Sequence, residues 1–360
     1  MPIIIEQSCK IKAELPERDV HKGMEVFYNP VMASNRNISL LLLNGVENKN
    51  MNLADPLAGS GIRSLRFLKE LKKSKIKQLY VNDIKANFSD SFAEILKLNN
   101  IHSNKISIHN QDANLFMLNQ EGFDYIDIDP FGSPNNFLAA AISRISRKGI
   151  IAVTATDTAA LTGTYPKVTQ RKYWASNVKN YLMHETGLRI LIRKVQLIGM
   201  QFDKALIPIL AYSKDHYFRI YFKNDRRKES CDEIIKQHLF FLYNSDTLEF
   251  KSSKFNLEQG FTFVGPLWIG KLFDAELIKK MAGNNNYPEE QKFLDLLNEE
   301  AKIDVLGFYD LHALAKAYKS TPPKMEWALQ KLNGVRTHFS LNGIKTDKRF
   351  NEVIKIIVPI

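Results

Sequence analysis

The chain has 360 residues, enough for two domains or three that each bury a core. Its 44% hydrophobic and 25% charged residues are ordinary for a folded soluble protein, and no apolar run is long enough to cross a bilayer. Fifty Lys and Arg against 39 Asp and Glu give a net charge of +11, which favours a polyanionic partner because each neutralised phosphate also releases counterions. The excess is sharpest over 160–227, with 13 basic residues against four acidic ones. The start, Met1-Pro2-Ile3-Ile4-Ile5-Glu6, lacks the basic-then-apolar order of a signal peptide, so a cytoplasmic location is expected. Cys9 and Cys231 are far apart and His is scarce, so neither a disulfide framework nor a metal site is expected. A monomer is expected.

Residues 1–50 read as an N-terminal cap, mixing Phe27, Tyr28, Asn29, Pro30 and Arg36 before an apolar helical stretch from Ile38. From Met51 strands and helices alternate. Residues 52–55 form a short strand, and Gly59-Ser60-Gly61 turns into a helix carrying Leu65, Leu68 and Leu71. A second strand is predicted at 78–83 and a second helix at 87–98. Further strands fall at 106–108, 123–129 and 149–155, with a helix over 137–145, and a strand or hairpin at 208–223 ends the series. This alternation predicts an α/β fold, a doubly wound, Rossmann-like parallel sheet over 51–223. The charged stretch from Asn224 to Glu229 leads into a separate, smaller α+β domain over 224–360. There, helices at 311–318 and 324–332 flank Ser320-Thr321-Pro322-Pro323, and Asn342-Gly343 signals a hairpin turn, a pattern winged-helix-like in part.

Ligands of doubly wound sheets sit beyond the carboxyl ends of the strands, and Asp55, Asp83, Asp112 and Asp129 all fall there. The turn containing Gly59 permits close backbone approach and offers the free N–H groups of a helix start, although such turns also occur for packing alone. Asp83, 24 positions after Gly59, suits the two hydroxyls of a ribose, although a strand-end Asp also serves as a helix N-cap. Asp112-Ala113 adds an acceptor for an adenine amino group. Together these positions describe an adenosine-binding crevice that fits either NAD or S-adenosylmethionine. Position 64 is Ser, so the full G-x-G-x-x-G of a dinucleotide enzyme is not completed.

The distinguishing feature is Asp129-Pro130-Phe131-Gly132. An exocyclic amine is a poor nucleophile because its lone pair is delocalised into the ring. A carboxylate from Asp129 and the carbonyl of Pro130, accepting its two protons, would localise that pair and aim it at a sulfonium methyl. Positioning and electrostatics then carry most of the rate, and no strong base is needed. Phe131 supplies a stacking face, typically worth roughly 1–3 kcal/mol, with Phe27 or Tyr28 as a second face for a flipped base. Either Phe taken alone is more often a core residue.

With these parts in place the chain resembles the tRNA (guanine-N2-)-dimethyltransferase family. The resemblance rests on Glu25-Val26-Phe27-Tyr28-Asn29-Pro30-Val31-Met32 with Asn35-Arg36, on Gly61-Ile62-Arg63-Ser64-Leu65-Arg66, and on Asp129-Pro130-Phe131-Gly132-Ser133-Pro134. Thr154-Ala155-Thr156-Asp157, Asp215-His216-Tyr217-Phe218-Arg219 and Gly265-Pro266-Leu267-Trp268-Ile269-Gly270 extend it along nearly the whole chain. It implies a class I methyltransferase fold, S-adenosyl-L-methionine as cofactor, and one then two methylations of the 2-amino group of guanine 26 of tRNA. It also implies donor contacts from Arg36, Arg66, Asp83, Asp112 and Ala113, with Asp129 catalytic; Arg66 is favoured over Arg63 for the donor. Asp55 and Gly59 join the cofactor side, and Pro130 joins Asp129. Phe27, Asn29, Phe131, Gly132 and Ser133 form the substrate side, and Lys167, Arg171 and Lys172 of the basic stretch are expected to meet RNA phosphates. Many family members carry a four-cysteine zinc site between the last two blocks; this chain has only Cys231 there, so packing over 239–263 is expected to replace it. The rival readings are an amino-methyltransferase acting on another guanine or adenine in RNA or DNA, and a non-catalytic nucleotide-binding RNA-binding protein.

Overall fold

The computed structural model describes residues 2–13 and 28–358, arranged as two compact units. The first comprises Met1–Ala155, Tyr221–Asn224 and Gly283–Glu290. It opens with an antiparallel hairpin of β1 (Ile3–Glu6) and β2 (Cys9–Lys12), in which alternation turns Cys9 and Ile11 inward and Lys10 and Lys12 outward. Cys9 and Ile11 pack with Tyr28, Ile62, Leu65 and Ile95. Helix α1 (Ala33–Gly45) starts five residues before Ile38, because a short turn at Pro30–Met32 leads into it. Asn29 caps that turn, its side chain accepting from the Val31 N–H at 3.0 Å, and Pro30 suits the first position.

The α/β alternation then runs β3 (Met51–Asp55), α2 (Ile62–Glu70), β4 (Ile76–Asn82), α3 (Phe88–Leu98), β5 (Ile106–His109), α4 (Ala113–Leu118), β6 (Phe123–Ile128), α5 (Asn135–Arg144) and β7 (Ile145–Ala155). The strands pair in parallel in the order β5-β4-β3-β6-β7, with Leu53 opposite both Leu79 and Tyr125. Strand order reverses between β3 and β6, which opens a crevice beyond their carboxyl ends. Leu53, Leu79, Tyr125, Ile126 and Ile151 are fully buried, as strands covered on both faces require.

The second unit comprises Thr156–Ile220, Asp225–Ala282 and Gln291–Ile360. Helices α6 (Thr158–Leu161), α7 (Pro166–Tyr173) and α8 (Met183–Met200) precede β8 (Ala205–Lys214) and β9 (Tyr217–Asp225), a hairpin closed by Asp215-His216. After α9 (Lys228–Ile235), strands β10 (His238–Tyr243), β11 (Phe250–Ser253) and β12 (Thr262–Trp268) form an antiparallel sheet ordered β11-β10-β12. The chain continues through α10 (Ala275–Gly283), α11 (Gln291–Glu300), β13 (Tyr309–Asp310), α12 (Leu311–Ala317), α13 (Met325–Leu332), β14 (Val335–Thr337), β15 (Ser340–Lys345) and α14 (Phe350–Ile357).

Two features differ from the sequence-based expectation. The division falls after Ala155 and not at 223/224, because 156–220 packs with the C-terminal residues. Arg189 of α8 shows why: fully buried, it donates to the carbonyls of Trp268 (3.2 Å), Gly270 (2.7 Å) and Val305 (3.3 Å). Asn342-Gly343 is not a turn but lies inside β15, and the β14–β15 hairpin turns at His338-Phe339. Glycine is needed at 343 for close approach, since a Cβ would come within 2.5 Å of Thr337 and 2.7 Å of Phe308. Over 239–263, aromatic packing fills the sheet: Phe241 stacks on Phe250 at 5.4 Å and Phe240 meets Phe263 edge-on at 6.0 Å. No group of three or more His, Cys, Asp or Glu converges as metal ligands among the described residues.

A buried ion cluster anchors the second unit. Glu300 accepts from His338 Nδ1 (2.6 Å), the His338 N–H (2.8 Å) and Thr337 (2.8 Å), with Lys345 at 3.3 Å. Burial pushes its carboxyl up, but His338 and Lys345 outweigh burial and hold it at about 2 against an ordinary 4.5. The stability this carboxylate contributes is complete above pH 4.5 and is lost as pH falls toward 2. Glu300→Gln is expected to cost about 3 kcal/mol at neutral pH, because it strands the buried Lys345 ammonium and leaves the His338 donors poorly matched. Urea unfolding measured from pH 5 downward should show a shallower pH dependence for the variant than for the parent chain.

Candidate active site

The crevice of the first unit is built from the loops that follow β3, β4, β5 and β6. After β3, Gly59 and Gly61 take positive φ (57° and 73°), and a Cβ at Gly61 would strike the Phe92 ring at 2.3 Å. The turn is held to the next loop by Asp83, whose Oδ2 accepts from the Gly59 N–H at 2.8 Å while Oδ1 accepts from the Lys85 N–H at 3.0 Å. Each carboxylate oxygen has a second lone pair to offer. Asn82, fully buried, ties three loops together by donating to the carbonyls of Pro56 and Gln111, both at 3.0 Å. Asp112 caps α4, with Oδ1 accepting from Asn114 (2.9 Å) and Leu115 (3.1 Å), and Ala113 is the buried first residue of that helix. Ile84 and Leu115 leave apolar surface exposed beside these acids, at 69% and 52%. Polar acceptors beside uncovered aliphatic surface fit an adenosine, whose ribose and base need both.

Asp129 follows β6 and is only partly covered, its side chain 19% exposed. Its Oδ2 is paired with Arg63 of α2, a buried guanidinium that also reaches Asp127 (3.2 Å), Asn35 (3.0 Å) and Ser39 (3.1 Å). Asp127 is fully buried and receives a hydrogen bond from Tyr125 at 2.6 Å. Beyond it, Phe131 is 41% exposed, which separates it from a core Phe. Gly132 has φ 76°, and among the described residues a Cβ there would meet nothing within 4 Å. Pro130 is buried while Ser133 is half-buried. A flat ring has room against Phe131, with the Asp129 carboxylate and the Pro130 carbonyl adjacent in sequence.

Asp55 does not line the open crevice. It is buried, accepts from Ser64 at 2.8 Å, and is pushed up to about 7, chiefly by burial, with Arg63 opposing and Asp127 adding to the rise. Of the two arginines of 61–66, Arg63 is the one at Asp129. Arg66 is fully buried and bonds Glu6 (2.9 Å) and Glu70 (2.8 and 3.1 Å). Arg36 joins it on Glu6 at 2.7 Å, and together they hold the Glu6 carboxyl below its ordinary value although burial pushes it up.

Tyr28 cannot be a stacking face, being 5% exposed in the hairpin core and donating to Glu6 at 3.0 Å. Asn29 uses its side chain as the cap described above, and Phe27 lies outside the described residues. Lys167, Arg171 and Lys172 are exposed on α7 of the second unit, Lys172 paired with Asp157 at 3.3 Å. Sequence reasoning missed Asp127, Asn35 and Ser39. Asp127 was detectable, since alternation along β6 puts it on the same face as Asp129.

Comparison with known proteins fits this geometry. The sequence matches the family described as "TRM: N2,N2-dimethylguanosine tRNA methyltransferase" over residues 5–358. It is 39% identical to the tRNA (guanine(26)-N(2)/guanine(27)-N(2))-dimethyltransferase of Aquifex aeolicus, over 99% of this chain and 95% of that one. It is 36% identical to the tRNA (guanine(26)-N(2))-dimethyltransferase of Methanocaldococcus jannaschii, over 98% of each chain. The solved structure of Trm1 from Pyrococcus horikoshii with S-adenosyl-L-methionine superposes with a TM-score of 0.88 at 32% identity, covering 99% of this chain and 100% of that one. The fold is accordingly that of a class I methyltransferase with an appended α+β part, and the chain belongs to the N2,N2-dimethylguanosine tRNA methyltransferase family.

Proposed function

We propose that the protein transfers one and then two methyl groups from S-adenosyl-L-methionine to the 2-amino group of guanine 26 in tRNA. The observation that carries this reading is the pairing of a partly open Asp129 with an exposed Phe131 at the switch point of the sheet. Asp83, Asp112 and Ala113 would hold the adenosine, with Gly59 allowing close approach. The two-arginine pocket of Arg36 and Arg66 suits a carboxylate, and Glu6 already sits in it, so the carboxylate end of the donor would share or displace that contact. When bound, the donor supplies an electrophilic methyl on a sulfonium. Asp129 and the Pro130 carbonyl accept the amine protons, localising the nitrogen lone pair; the C–N bond forms as C–S breaks, and the released proton leaves by way of Asp129. Phe131 holds the ring by stacking, with Gly132 and Ser133 shaping the turn beneath it.

The Aquifex relative is named for guanines 26 and 27, so both positions belong in the readout. Nucleoside analysis after incubation with unmodified tRNA should show dimethylguanosine mapped to position 26. Its absence, with methyl appearing on adenine or in DNA instead, would replace the substrate assignment. Asp129→Ala should bind S-adenosylhomocysteine by calorimetry within a few-fold of the parent while transfer falls by about 100- to 1,000-fold. Undiminished transfer would remove Asp129 from the chemistry.

Lys167, Arg171 and Lys172 are proposed to meet tRNA phosphates. Replacing all three with Gln should weaken tRNA binding and lower its salt slope by about two, less than three charges imply because Asp157 already engages Lys172. An unchanged slope would place the RNA surface elsewhere.

A further inference from the structure

Three carboxyl groups meet one guanidinium at the head of the sheet. Asp55 ends β3, Asp127 lies in β6 and Asp129 follows it; Arg63 from α2 is the cation facing them. Nη2 of Arg63 takes Oδ2 of Asp129, and among the described residues no hydrogen bond to Oδ1 is formed. The other contacts fix the guanidinium from behind. Nη1 meets Asp127 at 3.2 Å and Ser39 at 3.1 Å, and Nη2 meets Asn35 at 3.0 Å. Ser39 in turn pairs with the Tyr221 hydroxyl at 2.8 Å and donates to the Asn35 carbonyl at 2.8 Å, while Tyr125 holds Asp127 at 2.6 Å. A side chain 6% exposed with acceptors on both terminal nitrogens has little freedom left.

We propose that Arg63 is a positioning residue for the methyl transfer: it clamps one oxygen of Asp129 so that the other is presented at a fixed angle to the amino group of the base. This rests on the role assigned to Asp129 above. A lysine cannot substitute fully, because a point charge cannot span Asp127, Asn35 and Asp129 with a planar fork. A carboxylate free to rotate offers the amine two interchangeable oxygens and no defined lone-pair axis, and a misplacement of this kind costs on the order of 100-fold in rate. Arg63 also offsets the negative charge of Asp55 and Asp127, so its loss leaves the acids to repel one another.

The test compares Arg63→Gln, Arg63→Lys and Asp129→Ala, each checked for folding by thermal unfolding. Arg63→Gln should lower kcat on the order of 100-fold while leaving the KM for tRNA and the calorimetric affinity for S-adenosylhomocysteine within about threefold. Arg63→Lys, which keeps the charge without the planar fork, should regain only part of kcat, which separates charge from geometry and serves alone if the Gln variant does not fold. Parental kcat in a folded variant overturns the proposal. So does a loss of S-adenosylhomocysteine affinity matching the loss of rate, which would make Arg63 a donor ligand. If Asp129→Ala keeps full activity, the underlying catalytic reading fails; if only the Arg63 variants behave as the parent, the positioning role alone fails.

Discussion

A carboxylate that draws protons from an aromatic amine has to stay ionised while lying against a largely apolar sheet. In this chain the carboxylate proposed for that task, Asp129, faces the Arg63 guanidinium together with its buried neighbour Asp127. Desolvation disfavours a charged carboxylate, and nearby like charges disfavour it further. Asp55 shows both effects, its carboxyl pushed up to about 7 mainly by burial. Asp129 differs in being 19% exposed and in placing one oxygen on Arg63. The arrangement is expensive to build, since a buried guanidinium stabilises only when its hydrogen bonds are all met. Ser39 and Asn35 meet that demand at the guanidinium nitrogens, and Tyr125 holds the Asp127 carboxylate that faces it.

Helix α2 carries two arginines three positions apart, and the fold sends them to different tasks. Arg63 turns to the carboxyl ends of β3 and β6, and Arg66 turns to Glu6 of the β1–β2 hairpin and to Glu70. Tyr287 extends the second network, donating to Glu70 at 2.7 Å with its ring under Arg66 at 5.2 Å. The same helix therefore joins the chemical end of the crevice to the N-terminal hairpin. A change at Glu6 would be felt at the arginine pair, without touching Asp129 directly.

The parts of the fold legible in the sequence were those written in local pattern. Strand ends at Asp55, Asp83, Asp112 and Asp129 follow from period-two apolar runs that stop at an acid, and the glycines of 59–61 mark the turn. Partnership was not legible. Asn35 and Ser39 of α1, Arg63 of α2, Asp127 of β6 and Tyr221 of β9 lie far apart along the chain, and nothing local says which of two arginines on one helix meets which acid. The same limit hid long-range commitments: Arg189 ties α8 to carbonyls 79 to 116 residues further on. Dipeptide rules failed at Asn342-Gly343 for a related reason, since glycine there answers to Phe308 and Thr337 across the sheet and not to a turn.

How the active-site acids divide their work follows from exposure. Asp83 and Asp112 spend part of their hydrogen-bonding capacity on backbone N–H groups, which fixes the loops before any ligand arrives. Their remaining lone pairs are pre-aimed, so binding costs little reorganisation. Asp127, sealed from solvent, holds Arg63 and accepts from Tyr125, whereas Asp129 stays partly open. Methylating the same nitrogen twice then requires no second set of groups. With Asp129 in the role proposed for it, the amine left after the first transfer retains one proton that this carboxylate would accept, and the space beside Gly132, empty among the described residues, would let the first methyl turn aside.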